Sequence, residues 1–188
     1  MRALALACAI AAVSIGSAAH AQIAAPGTEG YKIFAGSGDV IATYLGSTAS
    51  YSNDLLLQNT NAFLFNNYAT VPGTSINLGS FAPGTELLFR LHVNNTLDDF
   101  YTGPASRNPD NQPHARVQDN WAPGTTLVSF EDLFNADFSY NDLSFSLTNV
   151  SAVAPVPEPS TWAMLLVGFA LAGGALRQRR KQTVRFAF

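Results

Sequence analysis

The sequence predicts an all-β protein whose central part is an antiparallel β-sandwich, jelly-roll-like, of roughly seven to nine strands. Three observations predict it. Leu87, Phe89, Leu91 and Val93 alternate with Glu86, Arg90 and His92, and Leu143, Phe145 and Leu147 alternate with Ser144, Ser146 and Thr148. That period of two marks strands with one buried face. Clusters of Gly, Pro, Asn, Asp and Ser recur about every ten residues between Gly30 and Val150, the punctuation of a sandwich. No stretch of that span carries a helical apolar stripe longer than about two turns.

The elements follow in chain order. Residues 1–21 read as a signal peptide: Arg2, the apolar run Ala3 to Ile15, then small residues ending in Ala19-His20-Ala21, an A-x-A site with cleavage after Ala21. The run is too short for a membrane span. Cys8, the single cysteine, leaves with this leader, so the mature chain from Gln22 is expected to hold no disulfide and no cysteine-ligated metal. Residues 22–152 form the expected extracellular sandwich. Besides the two strands above, its candidates are Tyr31–Ala35, Val40–Leu45, Leu55–Gln58, Phe63–Phe65, Ser75–Leu78 and Thr125–Phe130. Phe81-Ala82-Pro83-Gly84-Thr85 and Trp121-Ala122-Pro123-Gly124-Thr125 each launch a strand, with Val71-Pro72-Gly73-Thr74 a weaker third. Pro followed by Gly is the pattern of a type II turn, fixed φ then positive φ.

Residues 153–161 are a proline-rich linker, because the alternating prolines of Ala154-Pro155-Val156-Pro157-Glu158-Pro159 forbid a helix there. Residues 162–176, Trp162 to Leu176, are expected to be a single membrane helix, and 177–188 a basic cytoplasmic tail opening with Arg177, Arg179, Arg180 and Lys181. The apolar run reaches about 22 Å against a hydrocarbon core of about 30 Å, so crossing requires flanking adjustment or a thin bilayer. Gly168 with Ala172, and Ala170 with Gly174, are small residues four apart, which permit close approach of another membrane helix.

Charge is partitioned along the chain. All 13 acids fall in residues 22–158 against four bases, and five bases fall in 159–188. An acidic folded part excludes a nucleic-acid partner, which needs a basic face.

Pro157-Glu158-Pro159, a short apolar helix opening with Trp162-Ala163-Met164, and an arginine cluster together resemble the PEP-CTERM sorting signal of Gram-negative bacteria. The resemblance implies that an exosortase, an integral-membrane cysteine transpeptidase, recognises the Pro157-Glu158-Pro159 tripeptide and removes the tail. It further implies a transient stay in the inner membrane and delivery to the cell surface or exopolysaccharide matrix. Residues 182–188 extend beyond the usual arginine end of that signal.

The most chemically loaded segment runs from Ser129 to Leu143. Four carboxylates (Glu131, Asp132, Asp137, Asp142) and two amides (Asn135, Asn141) fall within twelve residues, and no Lys or Arg accompanies them. Held together they repel and raise one another's pKa, a cost that a hard cation removes. With Asp110 on an upstream turn, the candidate Ca²⁺ ligands are Asp110, Glu131, Asp132, Asp137, Asn141 and Asp142. The spacing is not that of an EF-hand. The competing reading is a solvated acidic turn whose Asn and Asp side chains satisfy backbone groups. Phe130-Glu131-Asp132 with Asp137 and Tyr140-Asn141-Asp142 also resembles the end of an uncharacterised acidic β-domain of bacterial surface proteins, with Ser139 where that domain carries a second acid. Thr43-Tyr44-Leu45-Gly46, Ser52-Asn53-Asp54-Leu55 and Asn108-Pro109-Asp110 with His114-Ala115 are similar to earlier pieces of it.

Three functions are compatible with this reading. The first is a non-enzymatic surface or matrix domain, rigidified by Ca²⁺. The second is a carbohydrate-binding module with an exopolysaccharide or surface glycan as partner, stacking sugars on Tyr44, Tyr51, Tyr101 and Trp121. The third is a permanently membrane-anchored periplasmic protein. Enzymatic activity is not expected: no G-x-S-x-G, H-E-x-x-H or phosphate loop occurs, His92 and His114 have no identifiable partner, and adjacent Glu131 and Asp132 would face opposite sides of a strand.

Overall fold

The computed structural model describes residues 21–135, 137–154 and 159–179. The expected signal peptide with Ala19, most of the Pro-rich linker with Pro157 and Glu158, and most of the basic tail lie outside the described residues. The chain divides into two compact units between Val153 and Ala154.

The described residues of the first unit form eleven strands: β1 Lys32–Ala35, β2 Asp39–Gly46, β3 Asn53–Leu57, β4 Ala62–Asn66, β5 Ser75–Ser80, β6 Phe89–Val93, β7 Asp98–Tyr101, β8 Ala115–Ala122, β9 Thr125–Phe130, β10 Leu143–Thr148 and β11 Val150–Val153. All pairings are antiparallel. One sheet has the order β5-β2-β10-β9-β8, a second β4-β3-β6-β7, and β1 pairs with β11 alone. The two larger sheets share one core. Phe89 of β6 lies 5.1 Å from Phe145 of β10, and Phe65 of β4 lies 5.6 Å from Tyr44 of β2, ring centroid to centroid.

The alternation that predicts β6 is realised, with Phe89, Leu91 and Val93 fully buried. Strand β10 departs from it. Ser144 and Ser146, assigned by alternation to a wet face, are buried too. The incoming chain covers Ser144 and its neighbours on β9 and β8: the amide of Gln22 donates to Ser144 Oγ (2.9 Å), that of Ala24 to Ser129 Oγ (3.0 Å) and that of Ala25 to Gln118 Oε1 (2.8 Å). An Arg116 to Glu29 ion pair at 2.6 Å fastens the end of this segment. Serine suits these positions because its hydroxyl supplies the partner that a buried backbone amide needs.

Two turn expectations hold in detail. Gly84 and Gly124 have φ of +83° and +70°, and a Cβ at either would meet nothing within 4 Å, so backbone conformation alone calls for glycine. Thr85 N–H closes the first turn on Ala82 O at 2.9 Å.

Two expectations are corrected. The jelly-roll likeness fails because β3–β4, β6–β7, β8–β9 and β9–β10 are hairpin neighbours within one sheet, whereas jelly-roll strands alternate between sheets. Among the described residues the strand number is eleven rather than seven to nine, since β7, β8 and β11 lack a legible alternation.

The second unit contains α1, Pro159–Arg179, which encloses the helix expected over 162–176. Proline at its first position fits, since an N–H there would have no helical partner. The expected membrane span is corrected: among the described residues no helix is long and apolar enough to cross a membrane. The apolar run is short, and Arg177 follows it directly.

Truncating Phe145 to Ala removes the ring that meets both Phe89 and Phe130. The expected loss is about 3–5 kcal/mol of unfolding free energy. Urea unfolding checks it, as a lower midpoint at unchanged slope.

Candidate acidic centre and sorting tail

Strand β9 delivers the chain into the acidic segment and β10 takes it away. Leu143 pairs with Phe130 at the base of this long hairpin, which places Asp142 beside Glu131 and Asp132. The Asp132 amide donates to Asp142 Oδ2 at 2.9 Å, and the Tyr140 amide to Glu131 Oε2 at 3.3 Å. Glu131 and Asp132 are only 3% exposed and Asp142 8%. One carboxylate oxygen from each lies within 4.8 Å of the others. Glu131 and Asp132 share a site, against the expectation of opposite faces, because β9 ends at Phe130 and strand alternation no longer governs them.

The three carboxylates open onto a cavity of about 300 Å³, also lined by Thr48, Ser50, Tyr51, Leu133, Asp137 and Ser139. The roof is pinned in place. Ser47 Oγ donates to Asp142 O at 2.5 Å and the Thr48 amide to Asn141 O at 2.9 Å. Phe138 and Tyr140 hold positive φ, +50° and +54°, a strained state for aromatic residues that the surrounding contacts must enforce. The Tyr140 hydroxyl donates to Pro113 O at 2.7 Å, and the Arg116 guanidinium sits 4.2 Å over its ring.

No lysine or arginine lines the cavity. Burial first, then the charges of Asp132 and Glu131, push the Asp142 carboxyl up to about 8. Glu131 and Asp132 are raised as well, chiefly by burial. Such a cluster must hold a proton or a cation near neutral pH.

The other predicted ligands are placed differently. Asp110 stands apart: its Oδ2 faces His114 Nε2 at 3.0 Å and its Oδ1 accepts the Gln112 amide. Burial favours its neutral form, but those bonds outweigh it and hold the carboxyl below its ordinary value. Asp137 reaches the cavity rim. Asn141 does not line the cavity, and its Oδ1 accepts the Ser139 hydroxyl at 3.0 Å. Both histidines do have partners. His92 Nδ1 meets Asp99 of β7 at 2.9 Å. His114 is fully buried, stacked 3.9 Å from Phe100, with Nδ1 on Glu131 O, so neither ring nitrogen is left for an ion.

Sequence reasoning assigned no role to Asn53, although Ser52-Asn53-Asp54-Leu55 had been singled out. Asn53 is fully buried at the start of β3, and its Nδ2 donates to Asp132 Oδ2 at 2.7 Å. The aromatic side chains expected to stack sugars are scattered. Tyr44 is buried in the core, Tyr51 lines the acidic cavity, Tyr101 belongs to one sheet and Trp121 to the other.

The tail is the second functional element. A family model described as a PEP-CTERM protein-sorting motif matches residues 155–181. The chain carries a PEP-CTERM sorting signal. The PEP-CTERM motif implies processing by an exosortase, export, and a membrane-associated sorting step. Of its tripeptide, Pro159 opens α1, while Pro157 and Glu158 lie outside the described residues. No curated protein and no solved structure matches the chain.

Proposed function

We propose that this is a non-enzymatic protein of the cell surface or exopolysaccharide matrix. In this reading the signal peptide exports it, and an exosortase processes it at Pro157-Glu158-Pro159. Ca²⁺ at Glu131, Asp132 and Asp142 stabilises the folded domain. One observation carries the ion: three buried carboxylates converge on a cavity that no lysine or arginine lines. Ligands on opposite sides of a Ca²⁺ ion, each about 2.4 Å away, stand about 4.8 Å apart. The spread of these oxygens fits within that limit. The same burial argues against catalysis. Carboxylates this hidden do not reach a polymer.

The test is a melting experiment at pH 8 on protein from exporting cells, in chelator and in 5 mM calcium. At about 100 times the dissociation constant the ion adds about 2.7 kcal/mol. For a domain of this size that raises Tm by roughly 5–10 °C. Identical melting in the two conditions removes the ion from the proposal.

A further inference from the structure

Export leaves a new chain end on the folded domain. Cleavage after Ala21 turns the peptide nitrogen of Gln22, a neutral group with one N–H, into a primary amine. The folded domain already holds a seat for that nitrogen. Its N–H donates to Ser144 Oγ at 2.9 Å, and Ser144 is fully buried, its own hydroxyl donating to Gly46 O at 3.1 Å. The bonds from Ala24 to Ser129 and from Ala25 to Gln118 hold the following residues down, so the new terminus stays beside β10. Ser144 thus offers a neutral oxygen to a single donor. An ammonium brings three donors and a charge, which is unfavourable against a buried group unless it is paired. The Gln22 side chain, by contrast, is exposed.

We propose that Gln22 is a modification site: the mature N-terminus closes to a pyroglutamyl ring whose N–H sits on Ser144. This rests on the export reading above, in which Ala21 ends the leader. The amine nitrogen attacks its own side-chain Cδ and a C–N bond forms. The Cδ–Nε2 bond breaks, and ammonia leaves with the proton the amine gives up. No oxidant, cofactor or second molecule is consumed. An α-amino group ordinarily loses its proton at about 7.7–8.0, so part of it is nucleophilic near neutral pH. Attack within one residue has the entropic advantage of an intramolecular reaction.

The product suits the seat better than the amine does. The lactam replaces the severed Ala21–Gln22 amide with another amide, neutral and with one N–H. Ser144 then accepts the same single bond that it accepts from the uncleaved chain. The ring also removes the positive charge of the terminus, so the segment that covers β10, β9 and β8 ends in a neutral cap.

Intact-mass measurement with gas-phase fragmentation, on mature protein from exporting cells and without digestion, tests the assignment against the Gln22→Asn variant. The asparagine side chain is one carbon short and would have to close a strained four-membered ring, so the variant keeps its amine. The expected wild-type N-terminal fragment begins at Gln22 and is lighter by one ammonia, while the variant's fragment has its full mass. Wild type should also melt above the variant, because only the lactam gives Ser144 a neutral single donor. A wild-type chain that begins at Gln22 with its ammonia retained overturns the inference and leaves the export reading standing. A ring found together with equal melting of the two proteins overturns its seat on Ser144. A mature chain that begins at any other residue overturns the cleavage site first, and this inference with it.

Discussion

In chelator, the protein loses stability steadily as the pH rises from about 4 to about 8, and the Asp142→Asn variant loses less. Asp142 is held at about 8 when folded, by burial and by the charges of Asp132 and Glu131, against an ordinary value of 3.8. Between those limits the folded chain binds more protons than the unfolded one. Unfolding free energy therefore falls with rising pH through this window and levels off above it. Asparagine keeps an oxygen to accept the Asp132 amide but carries no titrating proton, so the variant should fall less steeply, keeping only the slope from Glu131 and Asp132, and melt above wild type at pH 8. Calcium reverses the order. The ion requires the deprotonated site, so its stabilisation of wild type grows from pH 5 to pH 8, while the variant, one charge short, gains little. Guanidinium unfolding at four pH values, with and without calcium, measures both effects. A wild-type curve in chelator that is level between pH 4 and 8 would contradict the burial of these carboxyls.

Replacing Pro157-Glu158-Pro159 by three alanines should abolish tail removal. The PEP-CTERM motif spans residues 155–181, and the last residue of its tripeptide, Pro159, opens α1. Wild-type protein recovered from the surface or medium should lack α1 and the basic cluster from Arg177 onward. The variant should keep its C-terminus to Phe188 and stay associated with the cells. Intact mass of both proteins decides the outcome. Loss of the tail at the same position in both proteins would show that processing does not use the tripeptide, whereas a tail kept to Phe188 in both would favour a protein that stays anchored.

The architecture was legible where the physics is local. Strands β6 and β10 announce themselves by alternation, and the Pro-Gly turns at Gly84 and Gly124 announce the strands that follow. The missed strands have specific reasons. Strand β7 begins with Asp98 and Asp99, and Asp99 is there to meet Arg90 and His92 of the neighbouring strand. In β8 the run Asp119 to Trp121 is exposed on an edge, so its apolar signal stops at Val117. Strand β11 is four residues long and is defined only by its pairing with β1.

The acidic centre was half legible. Residues 131–142 stood out by composition, but which carboxylates converge depends on the register of β9 against β10, which draws Asp142 to the 131–132 corner and leaves Asp137 at the rim. Asp110 looked like a ligand by type and is taken by His114, a contact only the folded loop creates. Asn53 lies 79 residues from its partner Asp132. No local pattern in the sequence joins them.

Native mass spectrometry of the protein recovered from exporting cells tests the central claim most directly, because it weighs the polypeptide and its ion together. The expected species is a chain lacking residues 1–21 and the tail beyond the Pro157-Glu158-Pro159 region, carrying one calcium that disappears in the Asp142→Asn variant. A mature chain of the same length that carries no metal in millimolar calcium at pH 8 would contradict it.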